Sequence, residues 1–286
     1  MVAVDVAAEL GAEIVSVDSM QIYRGMDVGT ATPAPELRAR VPHHLIDVLD
    51  PSEDVTVAAF QHRARATLAD VAARGALPLL VGGSGLYFRA VVDDLRFPPR
   101  APDIRRSLEA ELDAEGVDAL YERLCDVDPV AAERIDRANA RRIVRALEVV
   151  RLTGRPFSDN DSWDRYESIF DLAVAGLRLD RDELKRRIEE RVGEMLAAGL
   201  VDEVRRVESA GLGETARQAL GYRQVLERPT ASTEELRAAI ASATARFARR
   251  QESWFNADPR VTWFDASHGS LARSLVEFFR RRLRLP

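Results

Sequence analysis

The first hundred residues alternate two hydrophobic periods, and that alternation confines the chain to one architectural class. Short apolar runs at 13–17 (EIVSV), 44–48 (HLIDV) and 77–81 (LPLLV) are too brief for helices and read as strands, the first ending at Asp18. Helix-period stretches surround them, one over 2–10 closed by Gly11 and another over roughly 56–74. Strands alternating with helical crossovers pair in parallel, so an α/β fold is expected, a parallel sheet covered by helices. Gly82, Gly83 and Gly85 then interrupt a strand-to-helix junction, and open α/β sheets bind ligands at the carboxyl ends of their strands.

Beyond Pro98 and Pro99 the pattern changes, and 101 to about 155 holds helical periods with no convincing strand. Strand character returns at 169–179 (IFDLAVAGLRL), where the sheet is expected to resume. Asp180 then caps a helix over 181–198, followed by a helix over 233–255, a strand over 261–264 and a closing helix over 271–283. The expected division is a core over 1–100, an inserted helical domain over 101–165, and the rest of the core over 166–286. No internal repeat or low-complexity segment interrupts it.

Length and composition fit this reading. With 286 residues, 46% hydrophobic and 31% charged, the chain can build a real core and is no disordered tail. A net charge of -6 means that any nucleic-acid contact must come from a local basic face. Cys125, the single cysteine, excludes an internal disulfide framework and multi-cysteine metal sites. His43, His44, His62 and His268 show no metal-ligand spacing, so bound zinc is not expected. No apolar run reaches the roughly 18 residues of a membrane span, and Asp5 and Glu9 stand where a signal peptide carries basic residues. A cytoplasmic protein without a membrane partner is expected.

Four constellations could carry chemistry. In VDSMQIYRGMDVGTA (17–31), Asp18 at a strand end suits a general base or metal-shell residue, and equally a turn cap. Tyr23, Gly25 and Gly29 in the same loop either read a base edge or simply turn the chain. In VGGSGLYFRA (81–90), Ser84 presents a hydroxyl at a helix start, where a phosphate is favoured, or caps a tight turn. Arg141, Arg142, Arg145, Arg151 and Arg155 in 139–155 form a face for a phosphate backbone or a solvated face, with Ile143, Leu147 and Val150 as its buried stripe. Arg187 and Arg191 are i, i+4 neighbours that could clamp a diphosphate or pair with Glu190 and Glu194.

Together VDSMQIYRGMDVGTA, PLLVGGSGLYFRA, ANARRIVRALEV, RQALGYRQ (217–224) and ARRQESWF (248–255) resemble the ordered motif set of the bacterial tRNA dimethylallyltransferases. The resemblance implies a P-loop-type parallel sheet. It also implies transfer of a dimethylallyl group from dimethylallyl diphosphate to N6 of the adenosine beside the anticodon, in tRNAs reading codons that start with U, with Mg2+ as cofactor. By motif, Asp18 matches the general base and Ser84 a hydroxyl near the leaving diphosphate. Asp18, Ser19, Met20 and Gln21 would touch the target adenosine. Arg105, the stretch Arg141, Arg142, Ile143, Val144 and Arg145, and the stretch Arg217, Gln218, Ala219, Leu220, Gly221, Tyr222 and Arg223 would contact tRNA. Arg187 and Arg191 match a helix that holds the diphosphate; metal ligands are left unassigned and a monomer is expected.

One departure stands out. The family begins with a strand and a nucleotide-binding G-x-x-x-x-G-K-[ST] loop, whereas here Met1 falls where that loop ends and Lys185, the only lysine, lies in a helical pattern. The sequence therefore reads as N-terminally truncated, and the chain as given is expected to be an inactive fragment. Three explanations compete: a start placed too far downstream, a tRNA-binding pseudoenzyme, and a P-loop nucleotide kinase-like enzyme acting on small molecules. The arginine face and RQALGYR oppose the last.

Overall fold

The structure is a computed structural model that describes residues 2–159 and 165–285. Met1 and 160–164, the latter within the helical insert expected over 101–165, lie outside the described residues. The chain forms two compact units, Met1–Asp93 with Ser168–Pro286, and Asp94–Glu167.

The first unit opens with α1 (Val2–Leu10), β1 (Ala12–Ser16), α2 (Asp27–Thr30), α3 (Pro35–Arg38), β2 (His43–His44), α4 (Val57–Ala73), β3 (Leu77–Val81) and α5 (Gly85–Val92). The strands pair in parallel in the order β2-β1-β3, with Ser16 opposite Val81. Parallel pairing needs a crossover, and α4 supplies it. Thr56 accepts a hydrogen bond from the Ala59 amide to start α4, and Phe60, Ala64, Leu68 and Val71 give it a buried stripe.

The second unit is helical: α6 (Pro102–Glu115), α7 (Val117–Val127), α8 (Pro129–Arg134) and α9 (Ala140–Thr153). Asn139 caps the start of α9 and Gly154 ends it in the left-handed region. Leu108, Leu120, Leu124, Ile143, Val144 and Leu147 fill its core.

The chain returns to the first unit through β4 (Val174–Arg178), α10 (Arg181–Ala197), α11 (Leu200–Ala210), α12 (Glu214–Arg217), α13 (Tyr222–Glu227), α14 (Thr233–Asn256), β5 (Val261–Asp265) and α15 (Leu271–Leu283). Phe60, Tyr23, Tyr222 and Leu200 share its largest core, and Leu271, Leu275 and Phe278 of α15 pack with Val6 of α1.

Three expectations are corrected. The strand expected over 44–48 stops at His44, because Leu45 and Asp47 adopt φ of 61° and 56° and cannot extend the ladder. The amides of Asp47 and Val48 instead bond to the carbonyls of Gln21 and Ile22, at 3.1 and 2.8 Å. The strand expected over 169–179 is confined to Val174–Arg178; its first part holds the exposed Ile169 and Phe170, and the Ile169 amide bonds to the Val92 carbonyl. Among the described residues the first sheet does not resume there, since β4 pairs only with β5, in parallel.

Within the helical unit the Glu111 carboxylate accepts from both terminal nitrogens of Arg151 at 2.9 Å and pairs with Arg123. Arg151 first, with Ser107 and Arg123, holds its carboxyl down at about 2. An unfolded glutamate titrates near ~4.3, so this stabilisation is full above that pH and is lost as pH falls toward the folded value. Glu111→Gln is therefore expected to lower the unfolding midpoint at pH 7, with the difference from the unsubstituted chain shrinking below about pH 4. Melting curves from pH 7 to pH 2 check this, and a difference that stays constant would contradict it.

Candidate active site

The carboxyl ends of β1 and β3 are locked together. The Val17 amide donates to the Val81 carbonyl at 2.8 Å, one step beyond the Ser16–Val81 register pair. Two loops therefore leave adjacent strands about 5 Å apart, carrying Asp18 and Ser84 on the same edge of the sheet.

Asp18 is half-buried, and its carboxylate is used asymmetrically. Oδ1 accepts from the Met20 amide at 2.8 Å and the Gln21 amide at 3.4 Å. This is the turn cap that a strand-ending Asp can make. Oδ2 has no hydrogen-bond partner among the described residues, so one oxygen fixes the group and the other is available to a ligand. Gln21 ties the loop further: its Oε1 accepts from Ser16 Oγ at 3.0 Å, and its Nε2 donates to the Thr30 carbonyl at 3.3 Å. Ser19 and Met20 are half-buried beside it. Tyr23 is fully buried, and burial pushes its phenol up to about 12, so it is core and reads no base edge.

Ser84 takes the N-cap position of α5, yet its hydroxyl caps no amide and has no protein partner among the described residues. The glycines before and after it are required by crowding. A Cβ on Gly82 would lie 2.8 Å from the Val17 carbonyl carbon, and one on Gly85 would lie 2.3 Å from the Trp254 ring. Gln251 seals the loop by donating Nε2 to the Gly83 carbonyl at 2.8 Å. Gln251 and Trp254 stand in ARRQESWF, but their loop-holding contacts were not legible from the sequence. At the far end of α5, Gln61 and Arg65 donate to the Ala90 and Val91 carbonyls at 2.8 and 3.0 Å.

The basic residues divide by what they touch. In the helical unit, Arg141 and Arg142 are exposed, whereas Ile143 and Val144 are buried in its core and their side chains cannot meet a ligand there. Arg145 and Arg105 turn toward the fully buried Glu148, at 2.9 and 3.7 Å, and Arg145 also donates to the Pro98 carbonyl at 2.6 Å. A buried carboxylate needs such partners, so these two arginines have a structural task that periodicity did not show. In the first unit, Arg217 and Arg223 pair with Glu208 and Glu227 at 3.4 and 2.7 Å. Of their stretch, Gln218 is exposed and Leu220 half-buried. Ala219, Gly221 and Tyr222 are buried, and Tyr222 donates to Glu203 at 3.0 Å. On α10, Arg187 pairs with Glu183 at 2.6 Å, not with Glu190, while Arg191 has no carboxylate partner among the described residues.

No group of three or more His, Cys, Asp or Glu is gathered among the described residues. Magnesium does not require one, because it takes one or two protein oxygens and completes its shell with substrate phosphate and water. Asp18 Oδ2 and Ser84 Oγ are hard oxygen donors of that kind, neither with a protein partner among the described residues. No described helix is long and apolar enough to cross a membrane.

Residues 21–258 match the family described as IPP transferase. The tRNA dimethylallyltransferase of Kineococcus radiotolerans is 54% identical over 273 residues, covering 93% of this chain and 86% of its own length. That of Streptomyces coelicolor is 50% identical over 281 residues, covering 95% and 89%. The crystal structure of a full-length tRNA isopentenylpyrophosphate transferase from Bacillus halodurans matches with a TM-score of 0.71 at 37% identity, over 99% of this chain and 92% of that one. A eukaryotic dimethylallyltransferase acting on tRNA shares the fold, with a TM-score of 0.82 at 21% identity over 100% and 76% of the two chains.

The crowding at Gly82 yields a test of the strand-end lock. Gly82→Ala places a methyl group against backbone that cannot rotate away, so a loss of about 1–3 kcal/mol is expected. Denaturant unfolding measures it, and an unchanged midpoint would show that the loop relaxes without parting β1 from β3.

Proposed function

The chain belongs to the IPP transferase family, and we propose that it transfers a dimethylallyl group from dimethylallyl diphosphate to N6 of the adenosine beside the anticodon, in tRNAs reading codons that start with U. The observation that carries this reading is Asp18, with one carboxylate oxygen bound by loop amides at the end of β1 and the other left for substrate.

The chemistry assigns the work. An exocyclic amine is a weak nucleophile, and its proton becomes acidic only as the N6–C1 bond forms. A carboxylate held within reach can take that proton during attack, while the C1–O bond breaks and the diphosphate departs with the electron pair. Fixing Oδ1 on two amides leaves Oδ2 oriented without reorganisation at the moment of transfer. Ser84 lies one strand away and would donate its hydroxyl to the diphosphate. Magnesium would be held by the Ser84 hydroxyl and the donor's phosphates, and when bound it neutralises leaving-group charge.

The target base must leave its stack to reach the strand ends, and Ser19, Met20 and Gln21 form the loop it would meet. The exposed Arg141 and Arg142 are suited to phosphates of the tRNA backbone, as are Arg217 and Arg223 once released from Glu208 and Glu227. Arg191, with Arg187 beside it, is suited to the donor's diphosphate. On this reading the chain works where tRNA is found, in the cytoplasm.

Transfer of labelled dimethylallyl to unmodified tRNA tests the reading. Asp18→Ala is expected to lower turnover by about two to four orders of magnitude, leaving tRNA affinity nearly unchanged. Turnover unaffected by that substitution would remove Asp18 as the base, and absence of transfer both by the unsubstituted chain and by one extended upstream in the same reading frame would overturn the reaction.

A further inference from the structure

Glu203 lies in the middle of α11, and its surroundings differ from those of every other carboxylate discussed above. It is buried, and no arginine or lysine pairs with it among the described residues. Its carboxylate instead gathers three neutral donors. Oε2 accepts from the Val28 amide at 2.8 Å, while Oε1 accepts from the Gly29 amide at 2.9 Å and from the Tyr222 hydroxyl at 3.0 Å.

The two amides belong to the first turn of α2, whose N-cap residue Met26 offers no side-chain hydrogen bond. A cap that local sequence lacks is thus supplied from 175 residues away. Tyr222 closes the arrangement, its ring filling the space over Gly29, where a Cβ would lie 2.6 Å from Tyr222 Cε2. Glu203 and Tyr222 therefore hold one face of the 17–31 loop.

That loop is connected to Asp18. The carbonyls of Thr30 and Ala31, at the end of the capped turn, accept from Gln21 Nε2 at 3.3 and 3.4 Å. The Gln21 amide in turn donates to Asp18 Oδ1, and Gln21 Oε1 accepts from Ser16 Oγ. Hydrogen bonds joined through the α2 backbone and the Gln21 residue connect Glu203 to the carboxylate at the end of β1. At the Glu203 end the Tyr222–Glu203 bond is buried and the two amide bonds to Glu203 are partly so, and there a lost partner is poorly replaced by water, so geometry is specified at that end.

We infer that Glu203 is a positioning residue of the active site, an inference that rests on the proposed function: it fixes α2, and through Gln21 the placement of Asp18 against the target base. A carboxylate is needed because all three neighbours donate. Glu203→Gln keeps the shape but turns an amide nitrogen toward one of these donors, uncapping part of the loop.

Two measurements on the full chain decide it. Amide exchange in the ligand-free protein is expected to accelerate about tenfold or more at Val28 and Gly29 in Glu203→Gln, with the amides of α4 unchanged. In the transfer assay the same variant is expected to lose about tenfold or more in kcat, with KM for tRNA within about threefold. Asp202→Asn, an exposed neighbour on α11, is expected to leave both readouts unaltered. Unchanged exchange at Val28 and Gly29, or faster exchange there with kcat preserved, would overturn the inference. So would faster exchange throughout α4, which would make Glu203 a general stabiliser. If neither the unsubstituted chain nor one extended upstream in the same reading frame transfers anything to tRNA, the reaction and the positioning role fall together, and the exchange data then report only how the loop is held.

Discussion

The parallel register of β1 against β3 is the constraint on which the rest of the candidate site depends. Ser16 lies opposite Val81, and the Val17 amide on the Val81 carbonyl carries the pairing past the last register pair. A slip of one residue would turn every side chain of β1 to the other face. Asp18 would then leave the edge it shares with Ser84. Gly82 keeps this register close, because no larger residue fits against the Val17 backbone. The site is thus fixed by main-chain geometry, and side chains from distant parts of the chain only refine it.

Those distant side chains act in a common manner. Gln251 and Trp254 of α14 seal the loop that carries Ser84, and Glu203 of α11 caps the loop that carries Asp18. Each strand-end loop receives a hydrogen bond from the C-terminal part of the chain, the Gly83 carbonyl from Gln251 and the Val28 and Gly29 amides through Glu203. This explains why motifs separated by more than a hundred residues bear on one site. Charge is handled differently: most of the arginines named above already hold carboxylates, as Arg145 holds Glu148 and Arg187 holds Glu183. Nucleic acid would meet arginines that are exposed, such as Arg141 and Arg142, or would have to displace a weakly held carboxylate.

Sequence periodicity revealed what local physics decides. β3 and α15 fall at 77–81 and 271–283 as expected, because a glycine follows the strand and an apolar stripe with period 3.6 defines the helix. It failed where tertiary contacts override local pattern. The run at 44–48 looks like a strand, yet positive φ at Leu45 and Asp47 diverts it to support Gln21 and Ile22. A strand end and a glycine cluster in the sequence mark the positions of Asp18 and Ser84, which the structure places at the end of β1 and at the N-cap of α5. Glu203 leaves none: in LVDEVRRVESA it looks like one more polar residue on an amphipathic helix, and only its partners in space set it apart. Arg105 and Arg145 were hidden in the same way, since the sequence does not show that Glu148 is buried.

The central claim is that the target adenosine is received at the joined ends of β1 and β3. An anticodon stem-loop with a photoreactive base at the target position tests it by cross-linking and peptide mapping. Attachment within 18–31 or 82–90 is the expected result. Attachment confined to α15 or to the exposed edge of β4, with none at the strand ends, would contradict the account.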